Sequence, residues 1–125
     1  MKREERCKAK ELYISPLFKK ALAYTLAHYD KVFILSAKYG LLDLDDIIEP
    51  YDLTLNTMNK KQRKQWAYKV YHQIQKRIGL SHEWYFYAGK KYREYLQQVL
   101  KQSYAPLKHL GIGKQLAFYK KNITE

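Results

Sequence analysis

Val32-Phe33-Ile34-Leu35, running into Ser36-Ala37-Lys38-Tyr39-Gly40, is the stretch that decides the fold. Four consecutive apolar residues, β-branched and aromatic among them, predict a strand buried on both faces rather than a half-exposed one. Upstream, Ser15-Pro16 reads as a helix start, with a serine N-cap and proline at the first helical position. Leu17, Phe18, Ala21, Leu22, Thr25, Leu26 and Tyr29 then recur at helical spacing until Asp30-Lys31 breaks the pattern. Downstream, residues 36–58 read as a long irregular connection punctuated by Gly40 and Pro50, and such loops in compact domains are usually functional. Asn59 can cap a second helix to about Ile78, with Trp66, Ala67, Val70, Tyr71, Ile74 and Ile78 as its apolar stripe and Gly79 as its stop. Trp84-Tyr85-Phe86-Tyr87-Ala88 predicts a second buried strand. Gly89 opens a third helix through Leu100, and a loop with Pro106 and Gly111 leads to a last helix at about 114–121.

Buried strands alternating with amphipathic helices predict an α/β fold: a small, mostly parallel sheet flanked by helices, in one domain spanning 1–125. Two strands are too few for such a sheet. A third would come from Leu12-Tyr13-Ile14 or from a short segment near Tyr104, or be absent; residues 1–11, rich in charge, read as a poorly ordered N-terminus. An uncovered sheet edge would invite pairing with a second copy, so a homo-oligomer is expected.

Charge narrows the function. Lys and Arg number 24 against 12 Asp and Glu, a formal +12. Five of the acids, Asp43, Asp45, Asp46, Glu49 and Asp52, share one window without a base, so elsewhere 24 bases face seven acids. An excess of this size creates a field that recruits polyanions, and nucleic acid or a nucleotide is the expected partner. With 13 tyrosines the chain is too aromatic for a disordered one. The N-terminus lacks a signal peptide's apolar segment, nothing is long enough to span a membrane, and the single cysteine, Cys7, cannot form an internal disulfide. A cytoplasmic protein with no membrane partner is expected.

Ligands of parallel sheets bind outside the carboxyl ends of the strands. One such end leads into Gly89, Lys90, Lys91 and Arg93, a candidate phosphate-binding set to which Gly113 and Lys114 are added. The other leads into Ser36, Lys38 and Tyr39, which can act as nucleophile, base and acid, with Asp52 folding back to orient the lysine. The rival reading is a serine-capped turn, a packed tyrosine and a solvated acidic rim. Lys60, Lys61, Arg63, Lys64, Lys69 and Arg77 form a candidate nucleic-acid surface on the second helix. Of the tyrosines near bases, Tyr24, Tyr68 and Tyr119 are the ones left off the core stripes and free to stack on a ligand. His28, His72, His82 and His109 have no metal-ligand spacing, so neither metal nor cofactor is expected.

Three stretches carry a resemblance: Leu12-Tyr13-Ile14-Ser15-Pro16-Leu17-Phe18-Lys19-Lys20-Ala21, Ile34-Leu35-Ser36-Ala37-Lys38-Tyr39-Gly40-Leu41-Leu42-Asp43 and Ile48-Glu49-Pro50-Tyr51-Asp52-Leu53-Thr54-Leu55. With Ala88-Gly89-Lys90-Lys91-Tyr92-Arg93 and Leu110-Gly111-Ile112-Gly113-Lys114, they make residues 9–120 resemble a bacterial and phage family of unknown function. More distantly, Tyr39-Gly40-Leu41-Leu42 with Pro50-Tyr51 is similar to the YaaA peroxide-stress proteins, associated with DNA binding, and to the lysine-transfer part of archaeosine synthase, a tRNA-modifying enzyme. Members of the close family begin with a strand and a Cys-Ser-x-x-Lys loop; this chain resembles the family without that first strand, which puts in doubt any catalysis the loop carries. The resemblance implies a nucleic-acid-binding domain, prophage-encoded or in a stress or defence setting. The alternatives are an enzyme on nucleotides, nucleobases or tRNA using the strand-end pocket, and a regulatory module whose acidic loop engages a protein.

Overall fold

The computed structural model describes residues 5–122. In chain order the elements are β1 (Cys7–Lys8), α1 (Ala9–Leu12), α2 (Pro16–His28), β2 (Phe33–Ser36), β3 (Gly40–Asp43), β4 (Ile47–Ile48), a 3-10 turn (Leu55–Thr57), α3 (Lys60–Arg77), β5 (Trp84–Tyr85), α4 (Lys90–Arg93), α5 (Leu96–Val99), β6 (Ser103–Tyr104) and α6 (Ile112–Asn122). They are organised as two compact units, one of Met1–Ile34, Leu42–Tyr51 and His109–Glu125, the other of Leu35–Leu41 and Asp52–Lys108.

In the first unit, Ser15 caps α2 as its sequence predicts, its Oγ accepting from the Phe18 N–H at 3.2 Å with Pro16 as the first helical residue. Helices α2 and α6 pack together, Tyr24 meeting Phe118 and Tyr119 at ring-centroid distances of 5.3 and 5.6 Å. Tyr119 is buried at 1% exposure. Its expected freedom to stack on a ligand is therefore corrected: the helix turns it into the aromatic cluster. β1 pairs antiparallel with β4, and the Ala9 and Lys10 N–H groups donate to the Asp46 and Leu44 carbonyls. Ala9 and Leu12 are fully buried, and residues 7–11, expected as part of a poorly ordered N-terminus, hold regular structure; residues 1–4 of that expectation lie outside the described residues.

In the second unit, Asn59 caps α3 through a reciprocal capping box with Gln62, at 2.9 Å in both directions. Gly79, at φ +94°, ends it where the sequence predicts. Trp66, Ala67, Val70 and Ile74 make the buried face, joined in the core by Leu55, Leu96 and Leu100. β5 and β6 pair in parallel, with α4 and α5 as the crossover, but in a sheet of their own without β2, so the segment near Tyr104 does not complete the expected three-stranded sheet, and β5 is half-buried to exposed rather than a buried strand.

The mixed α/β class stands, but the sheet differs from the expectation. Among the described residues there are three two-stranded sheets, β1-β4, β2-β3 and β5-β6, and two of them are antiparallel. The cause lies at Gly40: with φ +78° it turns the chain back with only three residues between β2 and β3, too few for a helical crossover. Residues 36–58 consequently hold β3, β4 and a 3-10 turn instead of one irregular loop. β2 alternates between buried and half-buried residues and is not buried on both faces. The third helix is two short ones, interrupted at Glu94-Tyr95, where the Glu94 carboxylate receives Arg63.

Candidate nucleic-acid interface

Helix α3 organises the second unit on two sides. Trp66, Lys69, Gln73 and Arg77 follow one another at spacings of three and four, so they share one side of the helix. All four bond the backbone of the Ser36–Leu41 hairpin tip. Trp66 Nε1 donates to the Ser36 carbonyl at 2.9 Å, Lys69 Nζ to that of Lys38 at 3.0 Å and Arg77 Nη1 to that of Leu41 at 2.8 Å. The Gln73 amide closes the set: Nε2 donates to the Tyr39 carbonyl at 3.1 Å, and Oε1 accepts from the Leu41 N–H at 2.8 Å. Gly40 lies beneath it, so close that a Cβ there would come within 2.2 Å of Gln73 Oε1.

This clamp fixes the candidate catalytic residues. Ser36 is fully buried, and its Oγ accepts from the Lys38 and Tyr39 N–H groups at 3.2 and 3.0 Å, the geometry of a capped turn. Lys38 is exposed, its ammonium 5.2 Å from the Tyr39 ring centroid. Asp52 is exposed, and among the described residues no ion pair joins it to Lys38. Ser36, Lys38 and Tyr39 thus come together, held by their backbone, without Asp52 paired to them.

Of the candidate phosphate residues, Gly89 caps the four-residue α4. Lys90 is exposed, Lys91 Nζ donates to the Asn56 carbonyl at 3.3 Å, and Arg93 Nη1 to Gln97 Oε1 at 3.0 Å. Gly113 and Lys114, both exposed, stand at the start of α6 in the other unit.

The candidate nucleic-acid surface divides. Arg63 is drawn inward: its Nε donates to Glu94 at 3.2 Å and its Nη1 to the Met58 carbonyl at 2.7 Å. Lys69 and Arg77 serve the clamp. Lys60, Lys61 and Lys64 face outward, and with Gln65 and Tyr68 they line an open depression of about 700 Å³ whose lining is mainly carbon. Lys64 Nζ lies 5.5 Å from the Tyr95 ring centroid, within cation–π range. Tyr68 is 66% exposed, with the His72 ring 5.4 Å away. Sequence reasoning missed Gln65 and Gln73. Their signal was register: Gln73 continues the Trp66-Lys69 side, and Gln65 falls between Lys61, Lys64 and Tyr68.

In the first unit the acidic window meets bases from the N-terminal segment. Asp45 pairs with Lys10 at 3.1 Å and Lys8 at 3.8 Å, and Glu49 with Arg6 at 4.0 Å. The hydrogen bond and charge of Lys10, reinforced by Lys8, hold the Asp45 carboxyl below its ordinary 3.8. Among the described residues no group of three or more His, Cys, Asp or Glu could hold a metal ion, and no helix is long and apolar enough to cross a membrane.

Comparison with known proteins places these features in a family. The uncharacterized protein YfjM of Bacillus subtilis (strain 168) is 29% identical over 129 residues, covering 94% of this chain and 81% of that relative. No solved structure matches. A family model described as a family of unknown function (DUF6884) matches residues 1–121, so the hairpin, its α3 clamp and the lysine-lined depression all lie within the matched region, and the chain belongs to this family.

Proposed function

We propose that the chain binds nucleic acid, and that the outward face at the start of α3 is where it does so. The observation that carries this is the depression in which Lys60, Lys61 and Lys64 stand around a mainly apolar surface with an exposed tyrosine. Lysines beside an exposed aromatic ring on an open, mainly carbon surface suit a ligand that carries both phosphates and flat rings. The formal +12 charge supports the reading, since it would steer any polyanion toward the chain. The distant similarity to YaaA proteins and to part of archaeosine synthase points the same way. Burial of Ser36 favours binding over nucleophilic catalysis, because a nucleophile must reach its substrate.

Fluorescence anisotropy with labelled oligonucleotides at two or more salt concentrations tests it. Affinity should fall steeply with salt, and replacing all three lysines with glutamine should reduce the log–log slope by about 2 to 3. Absence of binding even at low salt would end this reading.

A further inference from the structure

We infer that the depression on α3 takes a single strand rather than a duplex, with a base stacked on the Tyr68 ring. This rests on the nucleic-acid reading above and specifies its ligand. Exposed hydrophobic residues standing singly are ordinary and need no ligand. Tyr68 is different in its setting. It is 66% exposed and lines an open, mainly carbon depression together with Lys60, Lys61, Lys64 and Gln65. A cation alone would be recognised by none of this, and a small anion would have no use for the apolar surface.

A duplex does not fit the tyrosine. In B-form DNA the base faces are stacked on one another, and only their edges reach the grooves. The ring of Tyr68 could meet a base face only after unstacking, whereas a single strand offers its bases directly. From Lys60 to Tyr68 the helix rises about 12 Å at 1.5 Å per residue. One strand laid along that length can set phosphates on the lysines and a base on the ring. Gln65, the remaining lining residue, carries an amide that can donate to and accept from a base edge.

The experiment uses the full chain and anisotropy at one low salt concentration. Four probes of equal length are compared: a deoxythymidine strand, a uridine strand, an abasic deoxyribose-phosphate strand and a duplex. The expected result is tighter binding to one or both base-bearing strands than to the abasic strand or the duplex; the better of the two identifies DNA or RNA as the source. Tyr68→Ala should weaken base-bearing strand binding roughly 5- to 150-fold, the equivalent of about 1–3 kcal/mol of stacking, and leave duplex and abasic binding unchanged. Tyr68→Phe should retain affinity within about twofold, since the ring face is kept.

Equal binding of strand and duplex, with no effect of Tyr68→Ala but a loss with the lysine replacements, would overturn the single-strand inference and leave nucleic-acid binding standing. Affinity for the abasic strand equal to that for a base-bearing one would also overturn it. No binding of any probe would overturn both.

Discussion

Gly40→Ala should be among the most damaging small substitutions in the second unit, and its cost should depend on Gln73. At φ +78° an alanine costs about 1–2 kcal/mol in the left-handed region. Its Cβ would lie 2.2 Å from Gln73 Oε1, so the amide must leave its seat. That breaks the 2.8 Å bond from the Leu41 N–H and the 3.1 Å bond to the Tyr39 carbonyl. Two such bonds contribute about 2 kcal/mol net. The single substitution should therefore destabilise by about 3–4 kcal/mol. Gln73→Ala loses the same two bonds without the strain and should cost about 2 kcal/mol. In the double variant the bonds are lost only once, so the total stays near 3–4 kcal/mol and the coupling is about 2 kcal/mol. Urea unfolding followed by tryptophan fluorescence is the assay, because both tryptophans, Trp66 and Trp84, lie in the unit that contains the clamp. Additivity, with the double variant down by about 5–6 kcal/mol, would refute the shared seat of Gly40 and Gln73.

Arg63→Ala should destabilise by about 2–3 kcal/mol, since it strips a partly buried carboxylate and the Met58 carbonyl of their partner, and Glu94→Gln should cost less; chemical denaturation reads both. Burial, aided by Tyr24 and Tyr29, pushes the Tyr119 hydroxyl up to about 12 from 10.0, favouring its neutral form. That contribution to stability is complete below pH 10 and lost as pH rises toward 12; Tyr119→Phe should remove it, as circular dichroism across alkaline titrations would show. Asp45 has the opposite sign: its pairing stabilises above pH 3.8 and is lost as pH falls through the lowered value, and Lys10→Gln should move its titration upward by NMR.

The helices were legible because their ends are marked by local chemistry. Ser15-Pro16 and Asn59 cap through their own side chains, and Gly79 supplies the left-handed stop, so no tertiary knowledge was needed. The β2 position was legible from its apolar run. The antiparallel return at Gly40 was not, because Leu41 and Leu42 are both buried and show no alternation to mark a strand. The two-residue strands β1 and β4 are set by partners distant in sequence, as Cys7 with Ile48, while β5 falls within the predicted run at Trp84 but pairs over only two residues, with Tyr85 exposed. At the site, the basic helix face was visible in composition. Which lysines face outward was not, since Arg63, Lys69 and Arg77 are claimed by Glu94 and by backbone carbonyls that no periodicity marks.

The division of the chain has a kinetic consequence. The first unit is built from Met1–Ile34, Leu42–Tyr51 and His109–Glu125, and its α2–α6 packing joins segments far apart in sequence. The second is nearly continuous, from Asp52 to Lys108 with the Leu35–Leu41 tip. On a ribosome adding about 5–20 residues per second, every residue of the second unit is made before α6 begins. Most of its contacts join segments near in sequence, whereas α6 must close a long loop to reach α2. The expected order of folding is second unit first, with Trp66 and Trp84 signalling before the aromatic cluster of Tyr24, Phe118 and Tyr119 assembles.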